Sequence, residues 1–293
     1  MTSRSTADGT TPTVRRRRLP AAVLTVVAVA GLALVGSQSS ALSRAFQPVP
    51  APPANPTSSN QIQNIDQVRT AIKGYYGDTP TARLDPVDGT TTLHEASPDS
   101  AYAKEVGRLE KSASGYLTGA HAAQGTKKAV LLDVDDTSLL TYDYEIYSNF
   151  AFNPTTNAAF VNKAVFPAVF GMPQLVQRVE QQGYTVFFLT GRSEGQRAGT
   201  EKNLTDQGYP VHQAAVGKNV DNVFLKDVTH PWSTCDTTGD NVCTTIELKS
   251  ETRRYIESLG YDIKANFGDQ FSDLKGGSAD KTFKLPNPMY FLP

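Results

Sequence analysis

The sequence predicts an α/β fold, a doubly wound parallel sheet with a small cap inserted after its first strand. Three observations carry that prediction. Short apolar runs bounded by turn residues alternate with segments of helical periodicity. Acids, hydroxyls or cations follow the carboxyl ends of those runs, where open α/β sheets bind ligands. The stretch between Thr137 and Thr190 is longer than one crossover helix needs, so its surplus can fold over the strand ends.

The elements follow in order. Ile65, Val68, Ile72 and Tyr75 recur at helical spacing, and Tyr102, Val106, Leu109 and Tyr116 predict a second helix from about Asp99. A Pro/Gly/Thr-rich loop separates them. Lys128 to Val134 reads as a buried strand ending in acids. Residues 138–180 contain the candidate cap, with the aromatics Tyr142, Tyr144, Tyr147, Phe150 and Phe152, which either line a substrate pocket or belong to the core. Gln174 to Gln182 is a helix, Gly183 punctuates it, and Tyr184 to Leu189 is the second strand. Gly195 to Gln207 predicts a helix, Asn222 to Leu225 a strand, Ile246 to Leu259 a helix and Tyr261 to Phe267 a fourth strand.

The first 45 residues are of another kind. Arg15 to Arg18 precede an apolar run from Leu19 to Gly36, and small residues follow. That is the pattern of a secretory signal, with cleavage expected after Ala41 or Ala45; an uncleaved membrane anchor is the alternative. Residues 46–60 form a linker, with five prolines among the fourteen residues from Phe46 to Ser59. The folded domain is expected over 61–293. Cys235 and Cys243 are the two cysteines of the chain, and in an exported protein an even pair reads as one disulfide.

Composition narrows the function. The 293 residues carry 28 Lys+Arg and 29 Asp+Glu. Six of the basic groups and one acid fall in residues 1–45, so the remainder is acidic and is no nucleic-acid platform. A membrane enters only if the leader is retained.

Chemistry concentrates at the strand ends. Asp133 and Asp135 alternate in sequence and point the same way if extended geometry persists. Two converging carboxylates are tolerable when a divalent cation or unequal protonation separates them. A helix N-terminus capped by Asp136 or Thr137 is the plainer reading. Thr190, Gly191 and Arg192 supply a hydroxyl, a flexible amide and a guanidinium at the second strand end, an assembly suited to phosphate. Lys249 opens a helix, and Asp269 and Asp273 follow the fourth strand.

Together these residues resemble the haloacid-dehalogenase-like (HAD) phosphotransferases, with Asp133, Asp135 and Thr137 as the Asp-x-Asp-x-Thr element. The segments Leu-Asp-Val-Asp-Asp-Thr-Ser, Phe-Phe-Leu-Thr-Gly-Arg, Leu-Lys-Ser-Glu and Gly-Asp-Gln-Phe-Ser-Asp-Leu are similar to subfamily IIIB, the secreted acid phosphatases. So is the tail from Phe283 to Tyr290. The resemblance implies a HAD-like fold and an exported Mg²⁺-dependent phosphatase of small phosphate monoesters, nucleoside monophosphates among them. It implies Asp133 as nucleophile forming an aspartyl-phosphate and Asp135 as acid and then base. It further implies Mg²⁺ held by Asp133, Asp135 (through its carbonyl) and Asp269, with Asp273 behind them. Thr190, Gly191, Arg192 and Lys249 would bind phosphate. Val220 to Thr245 departs from the pattern, and Lys226 there is a second candidate lysine, although Lys249 fits the spacing to Asp269 better.

Two rivals remain. Gly191-Arg192-Ser193-Glu194-Gly195 matches the G-x-S-x-G elbow of a serine esterase, with His212 or His230 as its base. A phosphate-binding surface protein without activity is the other. No Walker A loop is present.

Overall fold

In the computed structural model of the chain, residues 55–211, 221–226, 230–235 and 243–292 are described. The expected leader, all of the linker before Asn55, and His212 lie outside them. Helix α1 (Ile65–Tyr76) is capped by Asn64, whose side chain accepts from the amides of Asp66 and Gln67. An antiparallel pair, β1 (Thr79–Leu84) and β2 (Thr92–Glu95), follows where the sequence reads as loop. The strand β1 buries none of its residues, so no apolar alternation announces it. Its connection to β2 is organised by Asp85. One carboxylate oxygen accepts from the amides of Val87, Asp88 and Gly89, and the other from Thr90 and Thr91.

Helix α2 (Ala101–Gly119) leads into β3 (Lys127–Leu132), the first strand of the main sheet. After it come α3 (Tyr142–Tyr147), α4 (Pro154–Asn162), α5 (Met172–Gln181), β4 (Thr185–Ser193), α6 (Arg197–Asp206), β5 (Val223–Lys226), α7 (Thr245–Ser258), β6 (Tyr261–Gly268), α8 (Phe271–Leu274) and β7 (Thr282–Lys284). The five strands of the main sheet are ordered β5-β4-β3-β6-β7, and every pairing is parallel. The predicted doubly wound sheet is therefore present. The edge strand β7 has only three residues, too few for a periodicity to register.

Side chains alternate across β3 and β4 as strand geometry requires, and in β6 the register shifts between Ile263 and Ala265, so these two enter different clusters. Val130, Leu132, Val186, Phe188, Ala265 and Phe267 enter one apolar cluster, while Ala129, Leu131, Phe187, Leu189 and Ile263 enter the other. Burial of each large side chain stabilises the fold by roughly 1.5–3 kcal/mol. With β3 buried on both sides, its carboxyl end is fixed in the middle of the sheet. In the candidate cap segment, Tyr142 and Tyr144 are core residues at 1% exposure each. Tyr76 stacks on Tyr142, with ring centroids 4.6 Å apart.

Cys235 and Cys243 form the expected disulfide, with Cα atoms 5.4 Å apart. The segment before it is docked on α7. The Trp232 ring stacks on Tyr255 at 3.8 Å, and Glu251 accepts from the amide and hydroxyl of Thr234. Among the described residues no helix is long and apolar enough to cross a membrane.

Candidate active site

Extended geometry ends at Leu132, directly before Asp133. The Asp133 amide donates to the Phe267 carbonyl of β6 at 2.9 Å, and the Ser138 hydroxyl holds the Asp133 carbonyl at 2.7 Å. Residues 133–141 then form a tight turn with Asp136 in the left-handed region, φ 52°. No helix starts at Asp136 or Thr137, so the capping reading of these residues is overturned. The Asp136 carboxylate instead accepts from the amide and hydroxyl of Thr141 and from the Tyr290 hydroxyl.

The turn sends Asp133 and Asp135 to different partners. Asp133 accepts from the Lys249 ammonium at 2.5 Å. The same ammonium donates to Asp273 at 2.6 Å, and all three groups are buried. Lys249 reaches them because α7 is fixed at its start by Thr244, which exchanges hydrogen bonds with Glu247 in a capping box. Carboxylate oxygens of Asp133, Asp269 and Asp273 lie within 4.8 Å of one another. The close approach needs Gly268, because a Cβ there would lie 2.4 Å from the Asp273 Cβ.

Three buried acids lie together and Lys249 pairs with two of them, Asp133 and Asp273. Burial, and the charges of Asp273, Asp269 and Asp135, push Asp133 up against the opposing Lys249. Asp269 is pushed up to about 8 by burial and by the charges of Asp273 and Asp136. Lys249 stays protonated: burial disfavours its charge, but Asp133 and Asp273 outweigh that. The set is short of positive charge. Its hard, anionic oxygens within one small volume fit a divalent cation such as Mg²⁺.

Asp135 lies outside that carboxylate cluster. Its side chain accepts from Arg192, whose other terminal nitrogen donates to Thr200 at 3.0 Å. Arg192, expected at phosphate, is thus committed to protein partners in this structure. The Thr190 hydroxyl is buried and accepts from the Arg192 amide, and Gly191 is exposed at the end of β4. Lys226 is exposed at the end of β5. The esterase elbow is not formed. Ser193 has ordinary extended backbone, φ −78° and ψ 159°, rather than a strained turn, and its hydroxyl lies against Gln196.

Four supporting residues are given no role by the sequence, although Gln270, Asn287 and Tyr290 lie within segments that resemble the family. Arg253 lies one turn after Lys249, fully buried, and donates to the carbonyls of Asp273, Lys275 and Gly277. The spacing of Lys249 and Arg253 on one helix face was the available signal. Gln270, Asn287 and Tyr290 reach the site acids from α8 and the tail, contacts that only the tertiary path creates. A cleft of about 450 Å³ is lined by Val68, Ile72, Tyr75, Glu105 and Pro286 and shares Asn287 with the site.

Comparison with known proteins bears on the family and the fold. The model of the HAD superfamily, subfamily IIIB (acid phosphatase) matches residues 92–293. Acid phosphatase 1 of Solanum lycopersicum is 31% identical over 197 residues, which are 65% of this chain and 69% of that protein. The stem 28 kDa glycoprotein of Glycine max is 30% identical over 57% of this chain and 61% of its own length. The class C acid phosphatase from Bacillus anthracis is similar in fold, with a TM-score of 0.51, 22% identity, and coverage of 65% of this chain and 79% of that one.

Proposed function

Because this chain belongs to the HAD superfamily, subfamily IIIB, the acid phosphatases, we propose that it hydrolyses phosphate monoesters through a phosphorylated Asp133. The observation that carries the reading is the pairing of Asp133 with Lys249 beside Asp269 and Asp273, at adjoining carboxyl ends of β3 and β6.

An Asp133 oxygen attacks phosphorus, the ester P–O bond breaks, and Asp135 gives a proton to the leaving alcohol. Asp135 then takes a proton from the water that attacks the aspartyl-phosphate, which releases phosphate and restores the Asp133 carboxylate and the protonated Asp135. Lys249, with the Thr190 hydroxyl and the Gly191 amide, neutralises or hydrogen-bonds the transferring oxygens. Asp133, the carbonyl of Asp135 and Asp269 would hold Mg²⁺, and Asp273 is fixed behind them by Lys249 and the Gln270 amide. When bound, the cation supplies positive charge that offsets the repulsion between a phosphate dianion and Asp133.

The disulfide and the leader pattern support export of the domain. Nucleoside monophosphates are the substrate class we favour among small monoesters. Of the cap-segment aromatics, Phe152 is 71% exposed and available to stack on a base. The test is phosphate release from a panel of monoesters, nucleoside monophosphates and glycerol phosphate included, with Mg²⁺ and with EDTA. Turnover that needs the cation is expected, and turnover unaffected by EDTA would refute the assignment.

A further inference from the structure

The tail after β7 leaves the sheet edge and returns across the site. Its backbone is anchored at both ends of the crossing: the Leu285 amide donates to the Gly268 carbonyl at 2.9 Å, and the Leu292 amide donates to the Gln270 side chain at 3.0 Å. Between these anchors two side chains reach inward. The Asn287 amide nitrogen donates to Asp269 Oδ2 at 2.7 Å, and the Tyr290 hydroxyl donates to Asp136 Oδ2 at 2.8 Å. Asn287 is itself oriented, since its Oδ1 accepts from the Met289 amide at 2.8 Å, which leaves the NH₂ for the carboxylate. Pro286 and Pro288 flank it and restrict the backbone on either side.

The effect on Asp269 is asymmetric. Oδ2 takes two amide donors, Asn287 and the Gln270 side chain at 2.6 Å. Oδ1 meets the Thr137 hydroxyl at 3.4 Å. A carboxylate pinned through one oxygen presents the other in a fixed direction. We propose that the tail is a strap that positions the site, with Asn287 as the positioning residue for Asp269, so that divalent-cation affinity is set from the C-terminal segment. This rests on the reading of Asp269 as a metal ligand.

The test is Mn²⁺ binding to the full chain, read by the electron paramagnetic resonance of free Mn²⁺ in a titration that needs no turnover. Asn287→Leu removes both amide groups, and Asn287→Ala does so with a different change in volume, so that a folded variant is available if one fails to fold. Loss of an outer hydrogen bond to a ligand costs 10–100-fold in metal affinity or activity. A rise in Kd of about 10-fold or more is expected in both variants. Phe291→Ala, in the same tail but 62% exposed, should leave Kd unchanged. Asn287→Gln, which keeps the amide on a longer stem, should recover part of the affinity. Wild-type affinity in the Asn287 variants, or equal weakening by Phe291→Ala, overturns the strap. A wild-type protein that binds no Mn²⁺ overturns the metal reading along with it.

Discussion

Arg192 grips Asp135 with two nitrogens: Nη2 donates to one carboxylate oxygen at 2.6 Å, and Nε to both at 3.0 and 3.2 Å. The guanidinium is nearly buried at 4% side-chain exposure, whereas Asp135 retains 30%. Asp135 therefore stays open to solvent while the guanidinium behind it is held in place. A bidentate fork of this kind fixes direction as well as charge, which a lysine cannot reproduce.

Arg192→Lys should accordingly damage proton transfer more than phosphate binding. We expect kcat for alkyl phosphates, whose leaving groups need a proton, to fall by about 10²-fold, at the low end of what general acid catalysis contributes. The loss for p-nitrophenyl phosphate should be much smaller. A plot of log kcat against leaving-group pKa measures this directly. A uniform rise in KM for every ester would instead return Arg192 to the phosphate.

Asp133→Asn and Asp135→Asn should fail differently. The first lacks the nucleophile and should trap no phosphoenzyme on acid quench with labelled substrate. The second keeps the nucleophile and loses the proton donor, so it should accumulate phosphoenzyme from esters with good leaving groups. Phosphoenzyme from Asp133→Asn would remove Asp133 from its assigned role.

Much of this was legible in the sequence, for a physical reason. The strands β3, β4, β5 and β6 are buried on both faces or in the middle of the sheet, so each is a short apolar run whose end is marked by a polar residue. The acids at those ends were found with them. The hairpin was not, because Asp85 builds its turn by accepting backbone amides and needs no apolar pattern. The strand stops at Leu132 rather than Val134, because the left-handed Asp136 and its bonds to Thr141 and Tyr290 are set by tertiary contacts. Asn287 lies in a segment that resembles the family and Arg253 in none, but the role of each depends on which carbonyl or carboxylate the fold brings to it.

The acids also set the pH dependence of stability. Burial pushes Asp136 and Asp143 up to about 7, against hydrogen bonds from Thr141 and Tyr290 in the first case and the charge of Arg83 in the second. Burial and the nearby Asp135 raise Glu145 to about 7, and Asp269 is raised to about 8. The folded metal-free protein thus holds protons that the unfolded chain, titrating near pH 4, has lost. Their contribution is complete below about pH 4 and disappears as pH rises through about 7–8. Asp85 acts oppositely. Burial opposes its charge, but the amides of Asp88, Thr91, Val87 and Thr90 outweigh that and hold it well below the usual range. Its contribution is present above about pH 4 and is lost in stronger acid. In EDTA, Tm should peak near pH 4–5 and decline toward pH 8, and Mg²⁺ should lessen the decline by binding the ionised Asp269. A Tm that rises from pH 5 to 8 in EDTA would contradict these protonation states.

The aromatics after Asp133 and Asp135 divide by burial, and the division predicts separate phenotypes. Tyr144 is fully buried, lies edge-on to Phe160 at 5.3 Å, and exchanges hydrogen bonds with the backbone of Asn153 through its hydroxyl. Tyr144→Ala removes a large buried ring and orphans those polar groups. We expect a loss of about 3–5 kcal/mol of stability, as for other buried aromatic truncations. It should lower Tm without changing the preference among substrates. Phe152 has little core packing to lose, so Phe152→Ala should leave Tm nearly unchanged. Stacking on a base is worth about 1–3 kcal/mol. Removal of Phe152 should therefore raise KM for nucleoside monophosphates by about tenfold and leave glycerol phosphate unaffected. Paired KM measurements on the two substrates decide the point. Equal KM shifts for both, or none for either, would assign substrate choice to residues other than Phe152.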